Sequence, residues 1–133
     1  MNRAKVCYGA TGIQDNTTDE QREQRRLRDG DIAIPKDLKS AYDLNFGDRV
    51  LLEHDVRDKQ GNIIETRRTW ATVRDMNTAP TIDFFREYDA ARGVVAREST
   101  PMRELGFTYG TTYGDRSQVR IIQVDRSGRF NFK

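Results

Sequence analysis

Apolar positions in this chain come in short runs cut by turn residues, and few of them recur at helical spacing. Asp31-Ile32-Ala33-Ile34-Pro35 is an apolar run closed by proline, which predicts a short strand. Asn45-Phe46-Gly47-Asp48 is a tight turn into residues 49–56, a strand with imperfect alternation. Asp58-Lys59-Gln60-Gly61-Asn62 is a hairpin signal. It hands over to Ile63 and Ile64, and a long strand runs on through Trp70 and Val73 to Asp75. Residues 118–124 predict a final strand, and residues 5–8 a first one ending in the turn marked by Gly9 and Gly12.

The helical patterns are shorter. Residues 18–28 predict a polar helix with Thr18 as N-cap, acids early and arginines late, stopped by Asp29-Gly30. Its one apolar residue is Leu27, so it predicts an exposed excursion. Residues 36–44 predict a helical turn. Residues 84–92 predict a helix that stops at Gly93. Ser99 or Thr100 caps a further short helix, with Pro101 in its first turn and Gly106 at its end. The sum is about six short strands with small helices between them and no internal repeat. Such a mainly β chain is expected to close as a small barrel, which removes its open edges.

A chain of 133 residues suits one domain over 1–133, with a polar excursion at about 18–29 and a short tail at 126–133. Hydrophobic residues make up 35% and charged residues 33%, but six Phe, five Tyr and one Trp argue against disorder. The 23 basic and 21 acidic residues nearly balance, at a net +2, so no long-range pull toward nucleic acid or anionic membrane is expected. Cys7 is the lone cysteine, which rules out an intrachain disulfide. No apolar stretch follows the first five residues, so the product is expected to be cytoplasmic as synthesised, with carriage in a virus particle as another route. There is no zinc-type Cys/His spacing and no glycine-rich phosphate loop, so neither metal nor cofactor is expected. His54, flanked by Glu53 and Asp55, reads as an ordinary strand residue.

Two carboxylates carry the candidate chemistry. Asp75 and Asp83 each end a β-like apolar run, so each is expected at a strand tip, and the two tips together would form an acidic centre. A carboxyl that protonates a leaving oxygen and then takes a proton back must be partly neutral at working pH. A neighbouring carboxylate or apolar burial supplies that condition. Either Asp also reads as a turn or cap residue, accepting backbone N–H groups. Arg74 and Asn77 flank Asp75 as groups that could hold acetamido or carboxylate substituents, with Arg74 read alternatively as neutralising a carboxylate; Tyr109 and Tyr113 could stack on sugar rings, as could Trp70, which also reads as a core strand residue.

The order of the segments resembles the double-psi β-barrel families that act on cell-wall glycans. These are the three-aspartate domain, the rare-lipoprotein-A-like domain and the lytic transglycosylase A core, with the barwin and expansin folds. The likeness rests on Tyr8 with Thr11-Gly12, on Ile32 to Pro35 followed by Phe46 to Val50, on Val73-Arg74-Asp75, on Ile82-Asp83, on Met102 to Gly106, and on the strand from Val119 to Val124. It implies a six-stranded double-psi barrel that cleaves peptidoglycan glycan strands by lytic-transglycosylase-like chemistry. Asp75 and Asp83 would be catalytic, and Arg74, Asn77, Tyr8, Thr11, Tyr109 and Tyr113 would bind substrate. The chain departs from the family pattern at three places. Met76-Asn77-Thr78-Ala79-Pro80 follows the first Asp in place of glycines, Pro35 stands where the three-aspartate domain has an early Asp, and residues 93–98 are extra. A non-catalytic structural or adaptor protein of a virion, or a glycan-binding module, on the same barrel is the alternative.

Overall fold

The computed structural model describes residues 28–78, 80–86, 88–89, 94–95, 99–107 and 118–129. The strand expected at 5–8 and residues 18–27 of the expected polar helix lie outside the described residues. The elements run in the order β1 (Asp31–Pro35), α1 (Lys36–Ala41), β2 (Arg49–Arg57), β3 (Ile63–Asn77), β4 (Asp83–Phe84), β5 (Tyr88–Asp89), β6 (Val94–Val95), α2 (Thr100–Glu104) and β7 (Arg120–Asp125). The protein is mainly β. Where six strands are expected in one closed sheet, the described residues hold a five-stranded mixed sheet in the order β4-β1-β3-β2-β7 and a separate β5-β6 ribbon.

Strand β3 organises the sheet. Its first part pairs antiparallel with β2, from Arg57↔Ile63 to Arg49↔Thr72. Its last part pairs parallel with β1, from Asp31↔Thr72 to Pro35↔Asn77. Strand β4 is antiparallel to β1, through Ile32↔Phe84 and Ala33↔Asp83. Consecutive strands β3 and β4 therefore run antiparallel with β1 inserted between them.

The hairpin from β2 to β3 forms because Asp58 organises its turn. Asp58 Oδ1 accepts from the N–H groups of Gln60 (2.9 Å) and Asn62 (3.0 Å), and Gly61 takes φ +86°. Helix α2 follows its sequence signals. Ser99 Oγ accepts the Met102 N–H at 3.0 Å, and Pro101 sits in the first turn. At the other end the Gly106 N–H donates to Arg103 O and the Phe107 N–H to Met102 O, a Schellman closure that needs the left-handed Gly106.

One face of the sheet builds the core. Ile32, Ile34, Val50, Leu52, Ala71, Val73, Phe84 and Ile121 pack there with Leu44, Ile82, Leu105, Phe107 and Val119. Each fully buried Ile, Leu or Val contributes about 1.5–3 kcal/mol of transfer free energy. Of the helix expected over 84–92, the described residues instead give strand at Asp83–Phe84 and Tyr88–Asp89, and Phe84 shows why. It lies on the core face beside Ile32, and the Phe85 N–H donates to Asp31 O at 3.0 Å. Joining the sheet buries an aromatic ring that an isolated helix would leave exposed. His54 also points inward, stacked on Phe107 at 4.1 Å, with Nδ1–H donated to Leu105 O at 2.7 Å.

The segment after β7 is tied down by arginines. Asp48 is fully buried, and its carboxylate accepts from Arg129 Nε (3.0 Å) and Nη2 (2.8 Å) and from the Asn45 N–H (2.9 Å). Arg126 and Arg129 also donate to the carbonyls of Tyr42 and Asp43 beyond α1. Burial opposes the ionised form of Asp48, yet the Arg129 bonds and the Asn45 N–H hold its carboxyl below the ordinary value.

Gly61 and Gly106 share φ +86°, but their surroundings differ. A Cβ on Gly61 meets nothing within 4 Å, whereas one on Gly106 falls 2.8 Å from Val56 Cγ2 and 3.3 Å from Arg67 Cδ. Gly61→Ala should cost only the left-handed penalty, about 1–2 kcal/mol. Gly106→Ala should cost about 1–3 kcal/mol more through overpacking. Urea denaturation of both variants tests this; equal losses would disprove the contact.

Candidate functional site

The sheet face opposite the core carries the carboxylates. Paired residues on neighbouring strands point to the same side of a sheet. Asp83 pairs with Ala33, and Ala33 pairs with Asp75, so all three stand in one row across β4, β1 and β3. Asp31 lies two residues before Ala33 on the same face. The expected acidic centre thus takes a different form. With strands about 4.8 Å apart, the Cα atoms of Asp75 and Asp83 are about 10 Å apart, and Ala33 lies between them. The two carboxylates do not stand on neighbouring strands.

A β-bulge produces this row. The register passes from Ile32↔Val73 to Ala33↔Asp75, which leaves Arg74 as an extra residue. Arg74 is half-buried, and its Nε lies 3.5 Å from Asp31 Oδ1. The other Asp31 oxygen accepts the Arg28 N–H at 2.8 Å. Burial pushes the Asp31 carboxyl above its ordinary value, while the Arg28 N–H and the Arg74 charge pull it part of the way back.

Asp75 and Asp83 are both half-buried. Asp75 Oδ1 accepts the Met76 N–H at 2.8 Å. Asp83 Oδ2 accepts from Asn77 Nδ2 at 3.0 Å, and the same amide nitrogen donates to Thr81 O at 3.2 Å. Asn77 thereby clasps the connection between β3 and β4. Asn77 Oδ1 and Thr81 Oγ1 are buried and have no hydrogen-bond partner among the described residues.

No family model, no curated protein and no solved structure matches this chain. Function is therefore argued from the site itself.

The structure brings Arg74, Asp75, Asn77 and Asp83 together at the β4-β1-β3 side of one face. Tyr8, Thr11, Tyr109 and Tyr113 lie outside the described residues, as does Cys7. Trp70 lies on the same face as Asp75, half-buried, with the Arg49 guanidinium 5.4 Å from its ring. Among the described residues no three His, Cys, Asp or Glu side chains converge as metal ligands do, and no helix is long and apolar enough to cross a membrane. Farther along the face Arg120 bridges Glu53 (2.5 Å) and Asp55 (3.0 Å), and Arg68 pairs with Glu53 at 2.8 Å. These contacts hold both carboxyls below their ordinary values, as exposed ion pairs that salt would screen.

Sequence reasoning missed Asp31. The parity of β1 was a usable signal, since Asp31, Ala33 and Pro35 must share a face in any strand over 31–35. Which face held Asp75 depended on the bulge, and no residue pattern marks it.

The raised Asp31 carboxyl makes stability depend on pH. Its folded-state value exceeds the unfolded 3.8, so its contribution is full below that value and is lost as pH rises through the folded value. Asp31→Asn does not titrate, so the variant should gain on the wild type as pH climbs from about 3 to about 7. Urea midpoints across that range test the slope; a constant difference would refute it.

Proposed function

We propose that this chain cleaves peptidoglycan glycan strands with Asp75 as acid/base, on a barrel of the double-psi type. The observation that carries the reading is the Asp75–Ala33–Asp83 row: two half-buried carboxylates on one face with the smallest chiral side chain between them. A carboxylate that faces the sugar carbon from across the scissile bond needs room for the ring between it and the acid. One intervening strand with the small Ala33 side chain leaves that room. Asp75 protonates the leaving oxygen and takes a proton back, either from a sugar hydroxyl or from water. Asp83, on the far side of the bond, steadies the positive charge that develops at the sugar carbon. Trp70 on the same face offers an apolar surface to a sugar ring.

The barrel reading has its own support. Strand β1 lies between the consecutive antiparallel strands β3 and β4, which is one ψ unit. A double-psi barrel interlocks two such units.

A specific observation favours the second reading, a non-catalytic virion or adaptor protein. Arg74 reaches back to Asp31 from within the row, and the Asn77 amide is occupied by Asp83 and Thr81. Contacts of this kind also hold a purely structural corner together.

Incubation of purified sacculi with the protein separates the two. The wild type should release soluble muropeptides, and Asp75→Asn should lower the rate at least about 100-fold. Anhydro-sugar ends would identify lytic cleavage, and reducing ends hydrolysis. Release of no muropeptide by the folded wild type would remove the enzyme reading and leave the structural one.

A further inference from the structure

Strand β1 is buried at all five positions, and Asp31 is the charged residue among them. A carboxylate placed there is costly unless partners hold it. Its two oxygens face the Arg28 N–H and the Arg74 guanidinium. Arg74 in turn has Nε and Nη1 buried, and a guanidinium keeps its charge at any accessible pH. Each of the two ions therefore offsets part of the other's desolvation.

That pairing has a geometric result. Arg74 is the extra residue of the bulge. Without the bulge the register Ile32↔Val73 would continue as Ala33↔Arg74. A slip of one residue sends every following side chain to the other face, so Asp75 would turn toward the core side and away from Asp83. Anchoring Arg74 to Asp31 keeps the extra residue in place.

We infer that Asp31 is a positioning residue for Asp75: by holding the Arg74 guanidinium it maintains the β3 bulge that keeps Asp75 on the same face as Asp83. The catalytic consequence rests on the proposed role of Asp75; the structural linkage does not.

A double-mutant cycle on the full chain tests this. The variants are Asp31→Asn, Arg74→Gln and the two combined, with Arg74→Lys as a milder change that keeps the charge. The reporters are the amides of residues 74–77, including the Met76 N–H that bonds Asp75 Oδ1, followed by NMR shift and hydrogen exchange. Each single change should speed exchange there at least about tenfold, while the amides of the β2–β3 pairing stay within about twofold. The combined variant should exchange no faster than the faster single, because Asp31 acts through Arg74. Kinetics on sacculi should show kcat lowered by about tenfold or more in Asp31→Asn, with KM within about twofold. Unchanged amides at 74–77, equal acceleration throughout the chain, or additive effects in the combined variant would each overturn the inference. Should the wild type release no muropeptides, the enzyme reading falls and the amide cycle still decides the linkage.

Discussion

Everything in this sheet hangs on the change of partner along β3. The strand bonds β2 up to Thr72 and β1 from Thr72 onward. At the handover the Thr72 N–H donates to Gly30 O, the Val73 N–H to Asp48 O, and the Gly47 N–H to Val73 O. Two loop segments, at Gly30 and at Gly47-Asp48, therefore supply the bonds that β2 ceases to provide. Backbone groups buried at such a point must be satisfied or the sheet would part. Most of the buried charge of the described fold gathers around this handover.

The two buried aspartates there show how one residue type meets two outcomes. Asp48 is fully buried but receives two close Arg129 bonds and a backbone N–H, and its carboxyl is held down. Asp31 receives one backbone N–H and an arginine at 3.5 Å, and burial prevails. Charge-assisted bonds at hydrogen-bonding distance outweigh desolvation, and a looser ion pair does not. The first aspartate locks the segment after β7 onto the turn before β2. The second stands beside the bulge that orients Asp75, and the proposed chemistry is sited there.

Local signals were legible where a residue acts on its immediate neighbours. Asp58 with Gly61 makes the hairpin, and Ser99, Pro101 and Gly106 start and end α2, because caps and turns are satisfied within a few residues. At Phe84, where a helix was expected to begin, the chain is strand for the converse reason. Phe84 is fixed by Ile32, some fifty residues earlier in the chain, and no local preference competes with that burial. Asp75 and Asp83 were singled out as strand-end carboxylates, and both lie in strands. Their separation across Ala33, and the third carboxylate beside them, came from pairing.

The sequence by itself determined the mainly β character, the hairpin at 58–62 and the capped helix, since each depends on periodicity or on groups close along the chain. Only the tertiary structure decided that β1 slides between β3 and β4, that Arg74 bulges out, and that Asp31, Asp75 and Asp83 share one face. Register is a long-range property: one residue of slip leaves composition and pattern unchanged and exchanges the two sides of a strand.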